Sequence, residues 1–218
     1  MIPQVNRYSY TFPNPRDASR EGLVAWGGDL NPNRILSAYR QGIFPWYNDN
    51  DPILWWSPDP RLVLFFDDLK ISKSLQRNLN KYEVRFDTNF KKVVQKCRDI
   101  RLLKNENTWI LEEVIEKYTE IHKMGFAMSA ETYYDGELVG GLYGILMGRV
   151  FCGESMFALK SDASKVALVR TAQKLQHEGY DFIDCQVPSD HLKSLGAKEI
   201  SRDQFLDMLE KSLNKELN

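Results

Sequence analysis

The sequence predicts an α+β fold, and three observations carry that reading. FAMSAETYY, ELVGGLYGILM and VFCGESMF are apolar runs joined by Asp135-Gly136 and Gly148-Arg149. Asp-Gly between such runs is the strongest short hairpin signal, so the three form an antiparallel meander. Amphipathic helical stretches flank the meander on both sides, and the chain closes on strand, short helix, strand and helix. Strands that pair with their neighbours while helices cluster outside them describe a mostly antiparallel sheet flanked by helices.

The elements follow in order. Residues 1–30 read as loops, with turn signals in FPNP and GGDL. Asn31-Pro32 supplies an N-cap and a first-turn proline for RILSAYRQ, with Gly42 as its stop and Ile35, Leu36 and Tyr39 as its apolar stripe. GIFPWYNDNDPILWWSPDPR follows, with three of the five tryptophans and four of the nine prolines in residues 42–61. So many prolines argue against an interior strand or helix, and the stretch reads as a stiff loop. LVLFF reads as a buried strand, which puts a boundary near 62: a small N-terminal domain over 1–62 and a larger second domain over 63–218. ISKSLQRNLNK predicts a helix with Ile71, Leu75 and Leu79 inside and Lys73, Arg77 and Lys81 outside. YEVRFDT alternates as a strand. FKKVVQKC and LEEVIEKYTEIHK predict two further helices, the second burying Val114, Ile115, Tyr118 and Ile121. After the meander come a helix from SDASKVALV to Gly179, the strand YDFIDCQV, the short helix SDHLKSLG, the strand AKEIS and a closing helix. The order resembles the acyl-transferring fold of GNAT-type N-acetyltransferases, an analogy of fold that carries no function.

With 218 residues, 43% of them hydrophobic and 27% charged, the chain has ample material for a core. MIPQVNRYSYTFPNP shows neither a basic start nor an apolar h-region. LVGGLYGILMG is too short to span a bilayer. Cys97, Cys152 and Cys185 have no metal-ligand spacing, and an odd count argues against a disulfide framework. A cytosolic, non-membrane protein is expected. Residues 70–104 carry a net charge of +8 and the remainder −9. A basic segment on an acidic body suggests one polyanion-facing surface, against the alternative of a solvated helical face.

Two short stretches could carry chemistry. On a regular strand, Phe182, Asp184 and Gln186 share a face opposite Ile183, Cys185 and Val187. Asp184 and Gln186 could together orient one small donor such as an amine; equally, Asp184 could be a buried structural carboxylate satisfied by backbone groups. Glu154 follows Gly153, where a ligand can approach closely, or is a plain edge charge. His122, His177 and His191 read as surface residues, and no phosphate loop, metal-ligand pair or dinucleotide fingerprint is present. Trp46 and Trp109 could stack bases beside the basic helices, whereas Trp55 and Trp56 read as packing between domains.

Taken together, LVAWGGDLNPNRILSAYRQGIFPWYN, PILWWSPDPR, NTWI, FCGESMF, ASKVALV and FIDCQV…SDHLKSLGA resemble the leucyl/phenylalanyl-tRNA–protein transferase family, in order and over nearly the whole chain. The resemblance implies a small N-terminal domain, a GNAT-like C-terminal domain and transfer of leucine or phenylalanine, less well methionine, from aminoacyl-tRNA. The acceptor is the α-amino group of an N-terminal Arg or Lys, marking that protein for degradation under the N-end rule. Matched by motif, Trp46 and Trp109 contact the 3′-terminal adenosine, Glu154 the aminoacyl-adenosine end, and Asp184 and Gln186 form the catalytic pair. Tyr118, Leu142, Met156, Leu168 and Ile183 draw the aminoacyl pocket, and Lys73, Arg77 and Lys81 meet tRNA phosphates. Thr171 and Leu175 replace large aromatics of the family pattern, and Met128 replaces a common histidine. No cofactor is required, because the ester is already activated, and the protein is expected to act as a monomer. Two rivals remain: a CoA-dependent N-acetyltransferase, disfavoured because ALKSDASKVALV lacks a glycine-rich pyrophosphate loop, and a non-catalytic tRNA-binding module.

Overall fold

The structure, a computed structural model, describes residues 2–6, 8–104 and 107–215. Two sheets organise it. The smaller has three antiparallel strands, β1 (Leu23–Trp26), β2 (Phe44–Pro45) and β3 (Leu54–Trp56), with β3 in the middle. Helix α1 (Pro32–Arg40) lies between β1 and β2, capped by the Asn31 side chain. The N-terminal loops and the Trp/Pro loop of the sequence reading therefore contain three short strands. Pro45 fits because it sits on an edge strand, where a missing donor is tolerated. The central strand carries Trp55, which is fully buried and donates its indole N–H to Gly27 O at 2.9 Å.

The larger sheet begins at β4 (Arg61–Leu64), so the change of sheet falls between Trp56 and Arg61, ahead of the expected boundary at 62, which lies inside β4. Its other members are β5 (Glu83–Phe86), β6 (Ala127–Tyr134), β7 (Glu137–Met147), β8 (Val150–Ala158), β9 (Phe182–Gln186) and β10 (Lys198–Ile200), in spatial order β10-β4-β9-β8-β7-β6-β5. The β6–β7–β8 meander forms as the turn signals predict, with Asp135 and Gly136 both at positive φ. One pair is parallel: β8 and β9 match Val150–Cys152 with Phe182–Asp184, and their pairing stops there.

Helices cover both faces, and alternate strand residues divide between two apolar clusters. Leu62, Leu64, Phe151 and Ile183 join α2 (Lys73–Asn78) and α5 (Ala163–His177) on one face. Val63, Cys152 and Phe182 join α3 (Phe90–Leu103), α4 (Glu112–Lys123), α7 (Arg202–Leu213) and the small sheet on the other. The short helix α6 (Asp190–Ser194) links β9 to β10. Helix α2 is shorter than the spacing of Ile71, Leu75 and Leu79 predicts. The basic segment is divided rather than forming one surface, because α2 and α3 pack on opposite faces of the sheet. Arg85 and Arg98 are also neutralised by Glu83, and by Asp99 with Glu112.

Candidate active site at the parting of β8 and β9

Where β8 and β9 part, each strand carries an irregularity. On β8, Tyr143 opposes Ser155 but Gly144 opposes Gly153, leaving Glu154 as an extra residue in a bulge. A Cβ on Gly144 would lie 2.3 Å from Cys152 O, so only glycine permits this distortion. On β9, Leu62 opposes Gln186 while Val63 opposes Asp184, leaving Cys185 as the extra residue. The chain then turns tightly, with Val187 N donating to Cys185 O at 2.8 Å around a Gln186 φ of 65°. A γ-turn with positive φ is rare and strained for a residue bearing a side chain. Bulges of this kind re-aim side chains and gather near functional sites.

The regular alternation expected of YDFIDCQV is thereby broken at its end. Asp184 keeps the face of Phe182, whereas Gln186 falls opposite Leu62, beyond the bulge. Arg61 donates to both Asp184 oxygens, Nε to Oδ1 at 2.8 Å and Nη2 to Oδ2 at 2.6 Å. Asp184 Oδ1 also accepts from the Gln186 backbone N–H at 2.9 Å. Both side chains of the ion pair are essentially out of water. Arg61 also donates to Gly42 O at 3.1 Å and lies against the rings of Phe44 and Phe205. Asp184 therefore fixes the backbone at Gln186 rather than facing open space.

Glu154 receives three donors. Tyr39 Oη and Gln186 Nε2 donate to Oε1 at 2.6 and 2.7 Å, and Tyr118 Oη to Oε2 at 3.4 Å. The two phenols also meet each other at 2.9 Å. Burial pushes the Glu154 carboxyl up to about 7, with the Asp184 charge adding to the rise and the three donors opposing it. Burial likewise raises the Tyr39 and Tyr118 phenols well above their ordinary value, so both keep their protons. A carboxylate only accepts, so Glu154 turns the Gln186 amide NH2 toward itself and leaves Gln186 Oε1 for another partner. Tyr39 was legible only as part of an apolar stripe on α1; nothing in its spacing marked the hydroxyl.

Two cavities meet here. The first, of about 210 Å³, has an apolar wall that includes Leu142, Met156, Leu168, Ile183 and Leu192, and a polar wall that includes Tyr143, Glu154 and Ser155. The second, of about 120 Å³, is walled by Phe44, Pro45, Trp46 and Trp109. Trp46 is half exposed and Trp109 nearly buried. Trp56 braces Trp46 from behind, donating its indole N–H to Trp46 O at 2.7 Å. Of the residues drawn by the motifs, Tyr118 is absent from both linings and lies beneath Glu154. Thr171, Leu175 and Met128 are buried outside both cavities. His191, read as a surface residue, is exposed at the rim of the first cavity. Lys73, Arg77 and Lys81 are exposed on or just beyond α2, away from Trp46 and Trp109. Lys70 N donates to Leu195 O at 2.9 Å, which ties that basic stretch to the end of α6. Among the described residues no group of side chains could hold a metal ion, and no helix is long and apolar enough to cross a membrane.

The sequence pattern described as leucyl/phenylalanyl-tRNA protein transferase matches residues 63–210, and that of the same family's N-terminal domain matches 28–59. The chain belongs to this family. A leucyl/phenylalanyl-tRNA–protein transferase of Sulfurimonas denitrificans is 57% identical over 97% of this chain and 92% of its own. Relatives of the same name from Syntrophobacter fumaroxidans and Flavobacterium johnsoniae are 53% and 52% identical, covering 93% and 91% of this chain and 87% and 94% of theirs. Solved structures of related shape include an aminoglycoside acetyltransferase from an uncultured soil metagenomic sample, with a TM-score of 0.41, 13% identity and coverage of 63% of this chain and 90% of that one. A GCN5-related N-acetyltransferase from Kribbella flavida gives 0.42, 9% identity and coverage of 76% and 59%. Likenesses this slight say nothing about substrate; the α+β architecture rests on the strand order itself.

Proposed function

We propose that this protein moves leucine or phenylalanine, and methionine less well, from aminoacyl-tRNA to the α-amino group of an N-terminal Arg or Lys of a protein; its relatives are named leucyl/phenylalanyl-tRNA–protein transferases. The observation that carries this reading is the meeting of an aromatic-walled cavity with an apolar-walled cavity at Glu154 and Gln186. The substrate has the same form: a base, then an ester, then an apolar side chain. The terminal adenine stacks between Trp46 and Trp109, and the amino-acid side chain enters the cavity of Leu142, Met156, Leu168 and Ile183. Exposed cations Lys73, Arg77 and Lys81 take phosphates farther along the tRNA. The small N-terminal part, residues 1–62, acts with the catalytic part, 63–218, as one cytoplasmic monomer in N-end rule degradation.

The chemistry is aminolysis of an ester. The attacking amine must be neutral, and a free α-amino group has a pKa of about 8. Gln186 Oε1, turned outward by Glu154, accepts one amine hydrogen and aims the lone pair at the carbonyl carbon. Asp184, itself locked by Arg61, holds the strained turn that places Gln186. The new C–N bond forms as the carbonyl π electrons move to oxygen. Collapse then breaks the bond to the ribose oxygen, which leaves with the amine's surplus proton, relayed by the neighbouring ribose hydroxyl. Most of the acceleration comes from holding an activated ester and an amine together, with the hydrogen-bond acceptor adding about 10²–10⁴-fold.

A CoA-dependent acetyltransferase would need an anion site at the start of α5. Asp162 occupies that position, bonded to Asn78 at 2.9 Å and Lys165 at 3.1 Å, and its negative charge repels a pyrophosphate. The test is transfer from radiolabelled Phe-tRNA or Leu-tRNA to peptides beginning with Arg, Lys or Ala, beside acetyl-CoA with the same peptides. Label should appear on the Arg and Lys peptides from tRNA alone. Acetylation without tRNA, or tRNA binding with no transfer, would replace this reading.

A further inference from the structure

Among the described residues, four line both cavities: Arg101, Glu154, Gln186 and Val187. In the proposed function, on which this inference rests, the reacting ester lies where the two cavities join, so these four border it. Three are already committed. Glu154 is an acceptor, the Gln186 amide is held by one N–H on Glu154 with its Oε1 assigned to the amine, and Val187 is apolar. Arg101 differs. It sits in the last turn of α3, half-buried, and its side chain makes no hydrogen bond or ion pair with any described residue. Beside it on the wall of the first cavity, the buried hydroxyl of Tyr143 also lacks a hydrogen-bond partner among the described residues. A half-buried guanidinium with no anion among the described residues, next to an unsatisfied phenol, is a donor-rich surface awaiting an acceptor.

We propose that Arg101 is a catalytic residue that donates to the ester carbonyl oxygen and stabilises the oxyanion formed as the amine adds. When the amine lone pair makes the C–N bond, the carbonyl electron pair moves to oxygen, and the half-buried guanidinium faces that charge. When the tetrahedral adduct collapses, the pair returns to re-form the carbonyl and the ribose oxygen departs. Arg101 gains and loses no proton. Among the described residues Glu154 is the only carboxylate in either lining, and it is engaged by Tyr39, Tyr118 and Gln186 with no ion pair to Arg101, which leaves Arg101 for substrate. The Tyr143 phenol, raised well above its usual value by burial, keeps its proton as a second donor on the same wall.

The competing role is a clamp on the phosphate that precedes the terminal adenosine, and the two separate experimentally. Single-turnover transfer from saturating Phe-tRNA to an Arg peptide should slow about 10²–10³-fold in Arg101→Gln, as when an oxyanion donor is removed. Arg101→Lys should recover part of that rate, and added guanidinium should partly rescue Arg101→Ala. Affinity for deacylated tRNA, and its dependence on salt, should not change. An unaltered saturated rate overturns the proposal. So does weaker tRNA binding with a shallower salt slope, since that marks a phosphate contact. Failure of the wild-type protein to transfer would instead refute the proposed function and is seen in the same assay.

Discussion

Arg61 grips Asp184 with two nearly parallel bonds, 2.8 and 2.6 Å long, at a point where neither side chain reaches water. The pair joins the first strand of the large sheet to the residue that fixes the Gln186 backbone, and Gly42 O ties the same guanidinium to the small sheet. With both oxygens engaged, Asp184 has in the proposed function the part of a positioning residue rather than of a general base. Arg61→Leu, which strands a buried carboxylate, should lower stability by about 3–5 kcal/mol in denaturant unfolding. Asp184→Asn should slow transfer without shifting the pH–rate profile; a displaced profile would show that Asp184 titrates during the reaction.

Gln186 pays for its placement with backbone strain. The left-handed region costs a residue with a Cβ about 1–2 kcal/mol, and glycine escapes that cost. Because Gln186→Gly relieves that strain but also takes one donor from the buried Glu154, its melting temperature should change little while transfer falls by about 10²–10⁴-fold, the contribution of a positioned acceptor. Equal loss of stability and activity would indicate a structural role alone.

Glu154 should govern the low-pH limb of transfer. Its folded-state pKa, about 7, lies above the ordinary carboxylate value of 4.5. In the ionised state it only accepts and keeps Gln186 Oε1 outward. Protonated, it can donate to that oxygen and reverse the amide. Transfer should rise as pH passes through about 7, beneath the amine's own titration near 8, and the lower limb should vanish in Glu154→Gln. The stability sign is opposite. Between about 4.5 and 7 the folded state binds more protons than the unfolded chain, so this group's contribution to stability falls as pH rises. Glu154→Gln should accordingly gain more in melting temperature, relative to wild type, at pH 8 than at pH 5.

The two cavity tryptophans should separate binding from folding. Trp46 is 49% exposed and Trp109 8%, so Trp46→Ala should leave the melting temperature unchanged and Trp109→Ala should lower it. Each should weaken binding of an adenosine-ended ligand by about 1–3 kcal/mol, measured by competition with a short CCA oligonucleotide. No loss for either would remove the base from that cavity.

Much of the fold was legible because its signals are local. Asp135-Gly136 and Gly148-Arg149 fix the meander, and Asn31-Pro32 starts α1. The small sheet was hidden because β1 to β3 are too short for a two-residue period to show, and prolines within the stretch argue against strands. The site was half legible. FPW, TWI, GESMF and DCQ marked Trp46, Trp109, Glu154, Asp184 and Gln186 by motif. What lay beyond local sequence was their partnering: Arg61 meets Asp184 across 123 positions and Tyr39 meets Glu154 across 115. The γ-turn at Gln186 was equally hidden, because nothing in FIDCQV replaces the side chain with glycine where φ turns positive.

The most direct measurement is a crystal structure of the protein bound to a 3′-amino-linked phenylalanyl-adenosine, an amide that cannot be transferred as an ester can. The account predicts the adenine between Trp46 and Trp109, the phenyl ring against Leu142, Met156, Leu168 and Ile183, and the amide carbonyl at the junction beside Gln186 and Arg101. Density with the phenyl group outside that cavity, or the carbonyl away from Gln186, would contradict it.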